Sequence, residues 1–238
     1  MRLLVDAGNS RVKWAVHDGR DWVAQGAVAH ADIAALKPQW AAWPLTRAAG
    51  ASVARPEVTA ALQAAAACPW RWVRSAAEFG DVRNHYRNPA EQGADRWLAV
   101  LGARSLCRDD VVVACAGTAL TVEALTAEGD YLGGYILPGR QLMLSSLARG
   151  TAQLDRPAGQ LENFPQGTEA ALASGVMAAQ CGAIENMRRQ LAERTGRALP
   201  EVMLTGGDAA LLAPQLAAPA RIVDNLVLTG LLRVAEST

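Results

Sequence analysis

The chain has 238 residues, 51% of them hydrophobic and 19% charged, which is long enough for one large or two small domains and too apolar for a disordered segment. Lys plus Arg and Asp plus Glu number 23 each, so the formal net charge is zero. That balance argues against nucleic acid or an anionic membrane as the main partner.

The first residues, MRLLVDAGN, do not read as a signal peptide, because Asp6 interrupts the apolar stretch too early. Leu3–Asp6 and Val12–Val16 have strand character, with turn chemistry at Ala7–Arg11 between them. Ala31–Ala42 and Pro56–Ala67 are alanine-rich helix candidates, the second opened by a proline. Trp70, Trp72 and Val73 suggest a strand. Gly80–Glu91 is polar, and the expectation is an exposed, irregular segment.

From Asp95 onward, Trp97, Leu98, Leu101 and Leu106 recur at helical spacing. Val111–Cys115 is a β-branched run expected as a buried strand. It opens the longest mostly apolar stretch, which falls well short of the roughly 18 residues that cross a bilayer. The expectation is a soluble, cytoplasmic protein. Ala119–Leu125 and Tyr131–Leu137 are the next strands, and Gly139–Arg149 a helix. Asn163–Gly167 is a loop before a long helix, Thr168–Arg194. Glu201–Leu204 and Ile222–Val223 are short strands, and Asn225–Ala235 is a final helix. Cys68, Cys107, Cys115 and Cys181 form no CxxC pair and read as reduced thiols.

One pattern occurs twice. Leu4-Val5-Asp6-Ala7-Gly8-Asn9-Ser10 aligns with Val113-Ala114-Cys115-Ala116-Gly117-Thr118-Ala119. Each is an apolar strand, then Ala, Gly and a polar residue, then an alternating strand. Glycine lets backbone amides approach an anion, and the polar side chain adds a donor. Two such turns across a cleft would hold a phosphate chain between two lobes. Asp6 would then hold a divalent cation, most simply through water. No GxxxxGK[ST] loop is present. Thr205-Gly206-Gly207-Asp208 is a third glycine turn. It is either a plain strand-to-helix turn or a place for an adenosine to lie against backbone.

The ordered motifs resemble the type III pantothenate kinases, a group that includes the Bvg accessory factor proteins. They are Asp6-x-Gly8-Asn9-Ser10-Arg11, Tyr86-x-x-Pro89, Gly93-Ala94-Asp95-Arg96, Gly117-Thr118-Ala119, Gly133-Gly134-Tyr135-Ile136-Leu137-Pro138-Gly139, and Thr168 ahead of Ser174-Gly175. The resemblance implies an α/β protein with a duplicated ribonuclease H-like, actin-like ATPase core. Its first lobe would span 1–110 and its second 111–238, with the final helix free to pack back on the first. It implies ATP-dependent phosphorylation of pantothenate to 4′-phosphopantothenate, the opening step of coenzyme A synthesis.

The resemblance also implies residue roles. Asp6, Ala7, Gly8, Asn9, Ser10, Arg11, Val12 and Lys13 would contact the nucleotide phosphates, with Asp6 positioning Mg²⁺ and Thr118 a second nucleotide contact. Tyr86, Gly93, Ala94, Asp95 and Arg96 would hold pantothenate. Asp95 would accept the proton. Thr168 would reach the substrate from the neighbouring subunit of a homodimer, whose interface the small residues of the long helix would suit. By itself, Asp95 also reads as a helix N-cap. Arg96 also reads as a surface ion pair.

The chain departs from the family at two places. Cys115 stands where the family has an acid that binds potassium or ammonium, and a neutral thiol is a poor ligand for a hard cation. Glu123 stands where the family commonly has Asp. The competing expectation is a non-catalytic accessory protein of the same fold that binds nucleotide or a pantothenate-like ligand.

Overall fold

The computed structural model describes residues 1–217 and 220–237. Two compact units divide the chain. One holds Met1–Leu106 together with the segment from Asn225, and the other holds Cys107–Asp224.

Alternation of side chains along a strand explains the first hairpin. β1 (Arg2–Ala7) pairs antiparallel with β2 (Arg11–His17) in a register that sets Leu3 opposite Val16, Val5 opposite Trp14 and Ala7 opposite Val12. These six side chains enter one core cluster with Ile33, Leu36, Trp40 and Leu62. The other face carries Leu4, Asp6 and Lys13, with Asp6 directly opposite Lys13. β3 (Trp22–Ala29) adds an edge strand, β4 (Arg47–Ser52) lies parallel to β1, and β5 (Trp70–Trp72) lies parallel to β4. The order is β3-β2-β1-β4-β5.

Two of these strands were not expected. β3 is a half-exposed edge of small residues, so its alternation is faint. β4 reads RAAGAS and lacks every residue type that signals a strand, although it lies inside the sheet. Its composition has a packing cause. A Cβ on Gly50 would stand 2.5 Å from the Trp72 ring.

The expected helix Ala31–Ala42 begins as a 3₁₀ segment, His30–Ala35, and becomes α1 only at Leu36–Ala41. Pro38 is tolerated in a first helical turn and not further in, which fixes that start. α2 spans Pro56–Ala65. The segment expected to be irregular, Gly80–Glu91, contains β7 (Val82–Asn84), which pairs with β6 (Glu78–Phe79) just before it in a short hairpin, and a 3₁₀ turn at Pro89–Glu91. α3 (Ala94–Leu106) follows and buries Trp97, Leu98 and Leu101.

The second unit repeats the first. β8 (Val111–Ala116), β9 (Ala119–Leu125) and β10 (Asp130–Pro138) form an antiparallel meander. α4 (Arg140–Gly150) and α5 (Thr168–Thr195) precede β11 (Glu201–Thr205), which runs parallel to β8. α6 (Ala209–Leu212) leads to β12 (Ala220–Ile222), parallel to β11. The order β10-β9-β8-β11-β12 reproduces β3-β2-β1-β4-β5 strand for strand, with the same parallel and antiparallel pairings. The duplication read from the two glycine turns is therefore a duplication of the sheet.

α5 covers one face of this sheet, where Met177, Cys181, Ile184, Met187 and Leu191 meet Val112, Ala114, Leu120, Val122, Val202 and Leu204. It ends at Gly196, in the left-handed conformation favoured by glycine. The last helix, α7 (Leu226–Glu236), packs on α3 in the first unit. Gly102 and Gly230 let the two backbones touch, since a Cβ on either would overlap a carbonyl of the other helix. No helix among the described residues is long and apolar enough to cross a membrane.

Candidate active site

In the first unit, β1 carries Asp6 to its end and the β1–β2 turn follows. The Gly8 N–H donates to the Arg11 carbonyl at 3.1 Å and closes that turn. Asn9, Ser10 and Arg11 are exposed on it, whereas the side chains of Ala7 and Val12 are buried in the core. These last two can offer a phosphate only their main chain. Lys13 returns on β2, across from Asp6. The Nε2 of His30 lies 3.0 Å from the Gly8 carbonyl, which it serves as donor. The sequence reading missed His30, and one dispersed histidine carries no pattern that would have marked it.

Asp6 is only partly exposed, and burial pushes its carboxyl up to about 7. The Asp95 charge adds to that rise, and Lys13 opposes it. Burial also raises the Asp95 carboxyl, against the Arg96 N–H and the Arg96 charge, which both lower it. The fold thus brings Asp6 and Asp95, 89 positions apart in the sequence, into electrostatic reach.

Asp95 is the second residue of α3 and is not its cap. Its Oδ1 accepts the Arg96 N–H at 2.8 Å and folds over Gly93, where a Cβ would stand 2.6 Å away. Arg96 is also not a surface ion pair. It is buried, its Nη1 donates to the Tyr86 hydroxyl at 2.8 Å, and its guanidinium lies 5.5 Å from the Tyr86 ring centre. Ala94 is buried beside it. Tyr86, Gly93, Ala94, Asp95 and Arg96 therefore form one cluster with Asp6 close by.

In the second unit, Thr118 is exposed on the β8–β9 turn. The Gly117 N–H donates to the Ala119 carbonyl at 3.0 Å, and the Gly139 N–H donates to the Thr118 carbonyl at 2.9 Å. Gly206, at φ 102°, and the Asp208 N–H, 3.2 Å from the Ala116 carbonyl, close on the same turn. The glycines of three separate motifs converge there because backbone meets backbone. Thr168 is the exposed first residue of α5 and borders an open pocket of about 410 Å³ with Arg156, Gln160 and Glu162.

Asp6 fits a divalent cation. A desolvated carboxyl beside a second carboxyl is what a positive ion would relieve. The monovalent-cation site fits less well. Cys115 is a partly buried thiol between Thr121 and Thr205 in register, and Glu123 is fully buried with the Tyr131 hydroxyl on its Oε2 at 2.7 Å. Among the described residues, no group of three or more His, Cys, Asp or Glu side chains could hold a metal.

A family model described as type III pantothenate kinase matches residues 2–190. The chain belongs to the type III pantothenate kinase family. A type III pantothenate kinase of Chromobacterium violaceum is 68% identical over 237 residues, covering 100% of both chains. One from Aromatoleum aromaticum is 48% identical, covering 99% of this chain and 98% of its own. Among solved structures, a 2-dehydro-3-deoxygalactonokinase-type protein of Sinorhizobium meliloti superposes with a TM-score of 0.65 at 16% identity, over 100% of this chain and 99% of that one. This last likeness shows the fold alone, an α/β architecture. The activity of this pantothenate kinase is ATP-dependent phosphorylation of pantothenate, the opening step of coenzyme A synthesis.

Proposed function

We propose that Asp95 is the base of this phosphoryl transfer. The primary hydroxyl of pantothenate attacks the γ-phosphorus of ATP, the bond from that phosphorus to the bridging oxygen breaks, and ADP leaves. The hydroxyl proton passes to an Asp95 carboxylate oxygen. A positioned base of this kind contributes a factor of about 10²–10⁴. Its raised pKa brings it nearer the working pH, where a base is most effective. The observation that carries this reading is the cluster of Asp95, Arg96 and Tyr86 within electrostatic reach of Asp6.

Tyr86 and Gly93–Arg96 hold pantothenate, with Arg96 supplying positive charge and Gly93 the room for the Asp95 carboxylate. The backbone of residues 6–13, the side chains of Asn9, Ser10, Arg11 and Lys13, and Thr118 hold the nucleotide. When bound, Mg²⁺ would neutralise charge on the transferred phosphoryl group, and Asp6 would hold it, most simply through water. Thr168 completes the site of the other protomer of a homodimer. The exposed stripe of Ala171, Gly175, Ala178, Ala179 and Gly182 along α5 suits close helix packing at that interface. Cytoplasm, where ATP and pantothenate meet, is the proposed location.

Potassium or ammonium is not required by this kinase, because Cys115 puts a thiol where the family's acid would stand and the Glu123 carboxylate accepts the Tyr131 hydroxyl. The test is direct. The purified protein is incubated with ATP, Mg²⁺ and pantothenate, with and without potassium or ammonium, and phosphopantothenate is measured. Product without either ion is expected. A strict ion requirement would contradict the cation reading. No product under any condition would favour the non-catalytic accessory protein.

A further inference from the structure

The strongest unassigned feature is a polar network behind the pantothenate residues, entirely within the first unit. Gln92 is only 6% exposed. Its Oε1 accepts two hydrogen bonds, from Ser75 Oγ at 2.6 Å and from Asn84 Nδ2 at 2.8 Å. Asn84 Nδ2 also lies within 2.9 Å of the Ala76 carbonyl and 3.1 Å of Ser75 Oγ. The other end of the same amide, Oδ1, accepts the Tyr86 N–H at 3.0 Å. Asn84 thus uses both ends of its side chain and ties three segments together.

Those segments are the strand exit at Ser75–Ala76, the Asn84–Tyr86 stretch, and the Gln92–Arg96 entry to α3. Gln92 immediately precedes Gly93, over which the Asp95 carboxylate folds. Tyr86 in turn receives the Arg96 guanidinium. A buried acceptor such as Gln92 Oε1 incurs its full desolvation cost if its donors are removed, which holds this arrangement in place.

We propose that Ser75, Asn84 and Gln92 are positioning residues that fix Tyr86 relative to Gly93–Arg96 and thereby set pantothenate recognition. The proposal rests on the assignment of those residues to the pantothenate site. None of the three touches the reacting atoms in this scheme. They act through Tyr86, Asp95 and Arg96. Small displacements of such groups carry large kinetic penalties, of roughly 10²-fold for about 1 Å.

The test compares Asn84→Ala, Ser75→Ala and Ser75→Thr in the full-length protein, with Arg96→Gln as a control on the site itself. KM for pantothenate, KM for ATP and kcat are measured for each. Asn84→Ala should raise the pantothenate KM by roughly tenfold or more while leaving the ATP KM unchanged. Ser75→Ala should act in the same direction and less strongly. Ser75→Thr, which keeps the hydroxyl, should restore the parent values. Proportional rises in both KM values, or an unchanged pantothenate KM in Asn84→Ala and Ser75→Ala, would overturn the proposal provided Arg96→Gln raises that KM. An unchanged pantothenate KM in Arg96→Gln would instead overturn the site assignment. If Asn84→Ala does not fold, the Ser75→Ala and Ser75→Thr pair decides the question.

Discussion

Oδ1 of Asp95 lies 2.6 Å from where a Cβ on Gly93 would stand. The glycine is there for space. Its φ is not in the left-handed region, so backbone freedom is not the reason. Gly93→Ala must push the carboxylate away or break its bond to the Arg96 N–H. The expected outcome is a kcat lowered by roughly 10- to 100-fold, with a nearly unchanged KM for ATP. Steady-state kinetics with each substrate varied in turn checks this.

Burial of the Asp6 carboxyl carries a stability cost. Its folded pKa of about 7 stands above the ordinary value of 3.8, so the folded protein holds this proton more tightly than the unfolded chain. The linked stability is fully present below the ordinary value and is lost as pH rises through about 7. In metal-free protein at pH 8 the cost is on the order of 4 kcal/mol at most. Asp6→Asn should therefore raise the melting temperature of the metal-free protein at pH 8 and leave it little changed near pH 4, while kinase activity falls. Thermal denaturation at the two pH values decides it.

The pH profile of kcat/KM for pantothenate follows from Asp95. A base must be ionised, and burial raises the Asp95 pKa. At saturating Mg²⁺, activity should fall as pH drops through a value above the ordinary carboxylate range. Arg96→Gln removes a charge that lowers that pKa, so the acid limb should move to higher pH. A limb at an ordinary carboxylate value, unmoved in the variant, would count against this electrostatic description.

His30 holds the β1–β2 turn, the proposed nucleotide contact, through the Gly8 carbonyl, 3.0 Å from its Nε2. Loss of one such hydrogen bond is worth about 1 kcal/mol, so His30→Ala should raise the ATP KM by roughly fivefold. The KM for pantothenate should stay constant. Separate titrations of the two substrates read this split.

The sequence shows the fold where a strand or helix follows from local chemistry. The strand expected at Val111–Cys115 from β-branching and the helix expected at Thr168–Arg194 from apolar spacing both form, each one residue longer. β4 was not, because Gly50 and its alanines answer to the Trp72 ring, a contact no local pattern contains. At the candidate site, the motif glycines and acids were legible as motifs. Their partners were not. Asn84 lies in the stretch expected to be irregular and Gln92 just after it, with no pattern to mark either, and only the folded chain brings them onto one hydrogen-bond network.

The central claim is that Asp95 accepts the pantothenate proton, and turnover of Asp95→Asn tests it most directly. Asparagine keeps the size of the side chain and cannot serve as the base. Single-turnover formation of phosphopantothenate should fall by about 10²-fold or more, with ATP affinity and melting temperature preserved. Undiminished turnover in a folded Asp95→Asn protein would contradict the account.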